Sequence, residues 1–250
     1  MNILGKTAIV TGGASGFGLG ITEALLQQGA KVAVLDISEH ALARLAPKGD
    51  DVMPLHCDVS NPEQIETAVA TVFERFETVP ILVNNAGIMV SAPLVNIMKR
   101  GEERRHSLEL WKKVIDVNLN SAFYLTSVVA DRLLTQRNKG VVVNIGSISA
   151  RGNAGQSAYA ASKAGLEALS KVWAKELGPL GIRSGVVAPG FFNTSGANDA
   201  IEQRLIEKWV DQTPLRRQGE IAEVVSAVMF IIENDFFNGE TLSLNGGLVV

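Results

Sequence analysis

The stretch TAIVTGGASGFGLGITEALLQQGAKVAVLD, Thr7 to Asp36, decides the fold. An apolar run, Thr7 to Val10, reads as a strand, Gly18 to Gln28 as a helix closed by Gly29, and Lys31 to Asp36 as a second strand. Between the first strand and the helix lies a glycine-rich turn, Thr11 to Gly18, with the spacing G-x-x-x-G-x-G. Glycines there let backbone N–H groups approach an anion closely, and the positive end of the following helix points at the same place. The other reading of the turn is a tight glycine-rich bend. Asp36 ends the second strand, where a carboxylate accepts hydrogen bonds from ribose hydroxyls or else serves as a capping or turn aspartate.

Working outward, the alternation continues. A short helix is predicted over Glu39 to Leu45, a strand over Asp51 to Val59, and a helix over Pro62 to Phe76 with Asn61 as N-cap. A fourth strand ends at Asn84-Asn85. Continuous apolar strands between amphipathic helices predict a single α/β domain over 1–250. Its core is a doubly wound, parallel, seven-stranded Rossmann-type sheet with helices on both faces. Asp58 and Val59 either contact an adenine or lead the Ser60-Asn61 cap. Asn85, Ala86 and Gly87 either close a backbone network or make a turn.

Composition narrows the partners. With 23 basic and 26 acidic residues, a formal net charge of -3 and no basic cluster of note, the chain carries no footprint for nucleic acid or an anionic membrane. One cysteine, Cys57, excludes a disulfide within the chain, and the three histidines form no metal-ligand spacing with it. The start, MNILGKTAIVTGG, enters a strand without a basic and apolar leader, and no run reaches about 18 apolar residues. The expected setting is cytoplasmic, without membrane or metal.

The chemistry is concentrated in Val141 to Leu177, read as strand, loop and helix. Ser147 closes the strand, and Tyr159 and Lys163, at i and i+4, share one helix face. The carboxyl edge of an open α/β sheet is where ligands bind, so a hydroxyl, a phenol and an ammonium are expected to converge there. Bringing a phenol from a pKa near 10 to about 7 needs roughly 4 kcal/mol, which a cation about 4 Å away at an effective dielectric of ~20 supplies. Lys163 is therefore expected to lower the Tyr159 pKa nearly enough for proton transfer at a carbonyl or alcohol oxygen, with desolvation opposing it. A Y-x-x-x-K pair alone also occurs on ordinary amphipathic helices.

Taken in order, TGGASGFG, Asp36, Asn84-Asn85-Ala86-Gly87, Asn118, Ser147, Tyr159 with Lys163, and Pro189-Gly190 with Thr194 cover nearly the whole chain. In this series the chain resembles the short-chain dehydrogenase/reductase family. The resemblance implies interconversion of a secondary alcohol and a ketone on a small-molecule substrate. It implies Asn118, Ser147, Tyr159 and Lys163 as catalytic: Ser147 bonding the substrate oxygen, Tyr159 exchanging its proton, Lys163 holding the nicotinamide ribose, and Asn118 holding a relay water. Cofactor contacts fall on Gly12, Ser15, Gly16, Phe17, Gly18, Asp36, Asp58, Val59, Asn85, Ala86, Gly87, Tyr159, Lys163, Pro189, Gly190 and Thr194. NAD(H) is expected over NADP(H), because Asp36 repels a 2′-phosphate and Ile37, Ser38 and Ser15 carry no cation. A homotetramer and a lid near 190–212 are also implied. A cofactor-binding regulator shares such a fold but has no use for the full catalytic set.

Two departures stand out. Ser147 and Tyr159 are 12 positions apart, one fewer than is common in the family, with Ser149 as the alternative hydroxyl. Between Gly87 and Asn118 the chain is longer than a typical member by about nine residues. This insertion, near 91–107, carries Lys99, Arg100, Arg104 and Arg105 beside Glu102 and Glu103. It is similar in placement to the basic loop of type-2 3-hydroxyacyl-CoA dehydrogenases, so its arginines either meet coenzyme A phosphates or belong to a self-neutralising solvated loop. The phrase GETLSLNGG resembles the end of 3-oxoacyl carrier-protein reductases, which prefer NADPH.

Overall fold

The computed structural model describes residues 1–45, 49–193 and 203–249, with backbone alone for 203–205. Seven parallel strands form one sheet: β1 (Thr7–Thr11), β2 (Lys31–Asp36), β3 (Val52–His56), β4 (Ile81–Asn84), β5 (Gly140–Ile145), β6 (Ile182–Pro189) and β7 (Thr241–Leu244). Their order is β3-β2-β1-β4-β5-β6-β7. The order reverses between β1 and β4, and a crevice outside the carboxyl ends of these strands is where such sheets bind ligands.

Strands β1 to β6 split their side chains between two cores. Val10, Val32, Val34 and Val83 pack with α1 (Gly16–Gln27) and α8 (Ile221–Glu233). Ile9, Ala33, Leu35 and Leu82 pack with α3 (Pro62–Phe76), α5 (Ser121–Thr135) and α6 (Ser157–Glu176). Burial on both faces explains the unbroken apolar runs, and each fully buried Val, Ile or Leu contributes about 1.5–3 kcal/mol. The remaining helices are α2 (Glu39–Ala43), α4 (Leu108–Ile115) and α7 (Gln203–Gln212). The cap expected at Asn61 is present: its side chain accepts from the N–H groups of Glu63 and Gln64, with Pro62 in the first turn.

The helical stretch from Leu108 to Thr135 is interrupted. Asp116–Asn120 form a π turn between α4 and α5, in which the Ser121 N–H bonds the Asp116 carbonyl five residues back. The extra residue turns Asn118 inward, where it is buried. The insertion is not an open loop either. Asn96 N–H donates to the Arg104 carbonyl at 2.7 Å and His106 N–H to that of Leu94 at 3.0 Å, making a short hairpin. Lys99 pairs with Glu103 and Arg105 with Glu102, so half of its expected cations are neutralised within the hairpin. At the other end of the chain Leu248 is buried and Val249 exposed.

Candidate active site

The glycine turn is built by close packing. A Cβ on Gly18 would stand 2.0 Å from the Gly12 carbonyl oxygen and 2.5 Å from Asn85 Nδ2, and Gly12 itself has φ +59 with Ala86 Cα 3.1 Å from its absent Cβ. The chain after β4 is stitched to this turn: Asn85 Nδ2 donates to the carbonyls of Thr11 and Gly12 at 2.9 and 3.1 Å. The Thr11 hydroxyl in turn accepts from the N–H groups of Asn85 and Ala86 at 3.0 and 2.9 Å. Asn85 therefore closes a network and does not merely turn the chain. Gly18→Ala is expected to cost about 3 kcal/mol by overpacking against backbone, lowering Tm by several degrees in thermal unfolding, and Gly16→Ala about 1 kcal/mol through its positive φ alone, because a Cβ there meets nothing within 4 Å. Equal effects would contradict the packing account.

Asp36 lies in this crevice, its two carboxylate oxygens accepting from Ala14 N–H at 3.1 Å and Ser38 N–H at 3.0 Å. It thus acts as a turn aspartate and also lines the cavity. Asp58 Oδ1 accepts from the N–H and hydroxyl of Ser60, so its capping role is present, and it too faces the cavity together with Val59.

The cavity occupies about 1370 Å³ and runs along the carboxyl edge from Asp36 to Tyr159. It brings together Gly12, Ser15, Gly16, Phe17, Asn85, Ala86, Gly87, Ser147, Lys163, Pro189 and Gly190 of the expected contacts. Gly18 and Asn118 sit behind its wall. Thr194 and residues 194–202 of the lid expected near 190–212 lie outside the described residues. Phe17 meets Phe192 edge-on at 5.5 Å and Phe191 meets Trp209 at 4.7 Å, and Trp209 of α7 belongs to the cavity wall.

Three elements deliver the reactive groups. Ser147 leaves β5 with its hydroxyl accepting from Ser149 N–H at 3.1 Å. Tyr159 and Lys163 project from one face of α6. Lys163 Nζ is buried, donates to the Ile145 carbonyl at 2.7 Å, and stands 5.8 Å from the centre of the Tyr159 ring. Gly87 lies beside it, a Cβ there being in ordinary contact with Nζ at 3.5 Å. Asn118 grips the next residue from both sides: Ile88 N–H donates to its Oδ1 at 2.8 Å, and its Nδ2 donates to the Ile88 carbonyl at 2.9 Å and to Ser162 Oγ at 3.3 Å. Its side-chain amide is therefore engaged in holding the chain after β4.

The electrostatics of the pair differ from the expectation. Burial raises the Tyr159 phenol above its usual range, with the Ser147 hydroxyl opposing, and burial pulls the Lys163 ammonium down from 10.5 to about 8. The expected lowering of the phenol by Lys163 is absent here, because desolvation acts on both groups and the ammonium is drawn to Ile145. At neutral pH the phenol holds its proton.

Residues 12–249 match a family model described as Enoyl-(Acyl carrier protein) reductase, one of the short-chain dehydrogenase/reductase models. The chain belongs to the short-chain dehydrogenase/reductase family. It is an oxidoreductase of the CH–OH/ketone class. The chain is similar to the 3-oxoacyl-[acyl-carrier-protein] reductase of Thermotoga maritima, with 36% identity over the whole of both chains. It also resembles the human 3-hydroxyacyl-CoA dehydrogenase type-2, with 35% identity over 99% of this chain and 96% of that one. The crystal structure of gox2181 superposes with a TM-score of 0.85, covering 98% of this chain and 95% of that chain at 34% identity.

Sequence reasoning missed three parts of this short-chain dehydrogenase/reductase site. One is the Thr11 hydroxyl, which joins the two turns. The π turn at Asn118 is another. The third is Gln156, buried in the cavity wall three residues before Tyr159. Only Gln156 carried a signal, because Gln is a poor N-cap residue at the start of α6.

Proposed function

We propose that this chain interconverts a secondary alcohol and a ketone using NAD(H) in preference to NADP(H). The observation that carries this reading is the convergence of Ser147, Tyr159 and Lys163 at one end of a cavity whose other end holds a Cβ-free cradle and Asp36. The residues suit the dinucleotide: Gly12 to Gly18 and the start of α1 fit a diphosphate, and Asp36 retains lone pairs for two ribose hydroxyls. Lys163 has two further ammonium protons beyond the one donated to Ile145, which suits a second ribose. The bound nicotinamide supplies or takes the hydride.

The chain's own groups manage the oxygen. In ketone reduction the Ser147 hydroxyl donates to the carbonyl oxygen and orients it. The protonated Tyr159 phenol then gives its proton to that oxygen as negative charge develops. The phenolate left behind is stabilised by Lys163, worth about 3 kcal/mol at ~6 Å and an effective dielectric of ~20. Burial excludes water from this exchange, and the clamp of Asn118 on Ile88 fixes the chain after β4 beside it. In the oxidative direction Tyr159 must first lose its proton, so its raised pKa predicts that alcohol oxidation gains rate with increasing pH.

NADH oxidation and NAD reduction at 340 nm, over a panel of ketones, secondary alcohols and 3-oxoacyl or 3-hydroxyacyl thioesters, tests the reading. NADH binding without turnover of any member would favour a cofactor-binding regulator. Asp36→Ala is expected to narrow the NAD/NADP ratio of kcat/KM by at least ~10-fold, by removing an acceptor pair and a charge repulsive to a 2′-phosphate. An unchanged ratio would count against the ribose contact. An acyl thioester is the second substrate reading, favoured by the names of the two relatives and by Arg100 and Arg104 on the hairpin. The apolar exposure of Phe123 and Val172 on α5 and α6 supports a homotetramer.

A further inference from the structure

The hairpin near 91–107 has no part in the proton transfer described above. Its two sides meet at the Val95–Arg105 bridge, and at its tip Met98 N–H donates to Asn96 Oδ1 at 3.0 Å, which holds the turn in one conformation. On this frame Leu94 is 70% exposed, Ile97 79% and Met98 89%, and Val95 is exposed as well. Single exposed apolar side chains need no explanation. Four within five positions of one hydrogen-bonded hairpin make an apolar patch of the kind that marks an interaction site.

Charge is segregated onto the same hairpin. Residues 91–107 hold four cations and two glutamates, a net +2 in a chain of net -3. Lys99 and Arg105 pair with Glu103 and Glu102, whereas Arg100 and Arg104, exposed at the two ends of the short turn Gly101–Arg104, form no ion pair among the described residues. The chain-wide balance of charge, which predicts no membrane partner, averages over this local excess. An apolar tip beside free cations matches the surface of an anionic bilayer, where acyl chains lie beneath phosphates. A soluble phosphate ester meets the arginines but leaves Leu94, Ile97 and Met98 in water. Protein partners are commonly held by Trp and Tyr anchors, and the hairpin carries neither.

We propose that the hairpin docks this protein on an anionic lipid bilayer, with Leu94, Ile97 and Met98 entering the acyl boundary and Arg100 and Arg104 meeting lipid phosphates. Among the described residues no helix is long and apolar enough to cross a membrane, so the attachment is superficial and reversible. The base of the hairpin is fastened beside the cavity: Ala92 N–H donates to the Gly155 carbonyl at 2.7 Å, and Met89 lines the cavity itself. Docking therefore holds the cavity next to the lipid surface, where apolar small molecules concentrate. The assignment stands independently of the oxidoreductase reading of that cavity.

The test is co-sedimentation of the full chain with vesicles of mixed phosphatidylcholine and phosphatidylglycerol, and with vesicles of phosphatidylcholine alone. The wild type is expected to bind the mixed vesicles at least ~10-fold more tightly than the neutral ones, since each free cation near an anionic surface is worth about fivefold. Arg100→Gln/Arg104→Gln is expected to bring that ratio close to one. Ile97→Ser/Met98→Ser, which keeps both arginines, is expected to weaken binding to the mixed vesicles at least ~30-fold by removing two buried apolar side chains. Absence of wild-type binding to the mixed vesicles, or equal binding to both kinds, overturns the assignment and needs no variant to fold. Equal binding of the wild type and Ile97→Ser/Met98→Ser overturns it too. So does concentration-dependent assembly without lipid that Ile97→Ser/Met98→Ser abolishes, because the patch then belongs to a second copy of this chain.

Discussion

Tyr159→Phe is expected to lower kcat about 10³-fold while leaving the Kd for NADH within about threefold of the wild type. Positioned acid–base groups contribute typically 10²–10⁴-fold, and this phenol is buried, protonated at neutral pH and placed between the Ser147 hydroxyl and the Lys163 ammonium. Phenylalanine keeps the ring and its packing, so the substitution deletes one proton and one oxygen. Ser147 still binds the substrate oxygen, which leaves the variant slow but not inert. Single-turnover reduction under saturating NADH, with fluorescence titration of the cofactor, reads the two effects separately. A kcat within tenfold of wild type would remove Tyr159 from proton transfer. A parallel loss of NADH affinity would show that the hydroxyl mainly serves binding.

The fold was legible because its determinants are local. Continuous β-branched runs buried on both faces suit a covered parallel sheet, and Gly12 and Gly18 mark a turn whose packing leaves no room for a Cβ, with Gly16 at a positive φ between them. Asp36, Ser147, Tyr159 and Lys163 were legible for the same reason: each is placed by a strand end or a helix repeat. What escaped depends on contacts far apart in sequence. Nothing in Asp-Val-Asn-Leu-Asn announces a π turn, because all five residues suit an ordinary helix, and the bulge is paired with an Asn118 clamp on Ile88, 30 residues away. The hairpin in the insertion was hidden by charges that weaken any strand pattern. The electrostatic expectation for Tyr159 failed on two quantities absent from sequence, namely the depth of burial and the attachment of Nζ to the Ile145 carbonyl.

Lys163→Met is expected to stop most turnover and, at the same time, to flatten one part of the protein's stability–pH profile. Unfolded, the ammonium titrates at 10.5; folded and without ligand, burial brings it to about 8. Below pH 8 both states bind the proton and the native state carries the whole cost of a buried charge, about 3 kcal/mol for such a shift. Between about 8 and 10.5 the unfolded state binds more protons than the native one, so the native state gains stability as pH rises. Above 10.5 both are neutral and the cost is gone. Cys57, pushed up by burial to about 11, contributes the opposite slope from about pH 9. The informative quantity is therefore the wild type minus Lys163→Met, which cancels Cys57. Denaturant unfolding at intervals from pH 7 to 10.5 should show the wild type gaining about 3 kcal/mol on the variant across that window, whatever the loss of the bond to Ile145 does to the offset. Parallel curves would mean that Lys163 is solvated or paired in the native state. Then it lacks the desolvated charge that makes it effective beside a developing phenolate. A protein that keeps a destabilising lysine in this position does so for chemistry, because Met would fill the same space without the penalty.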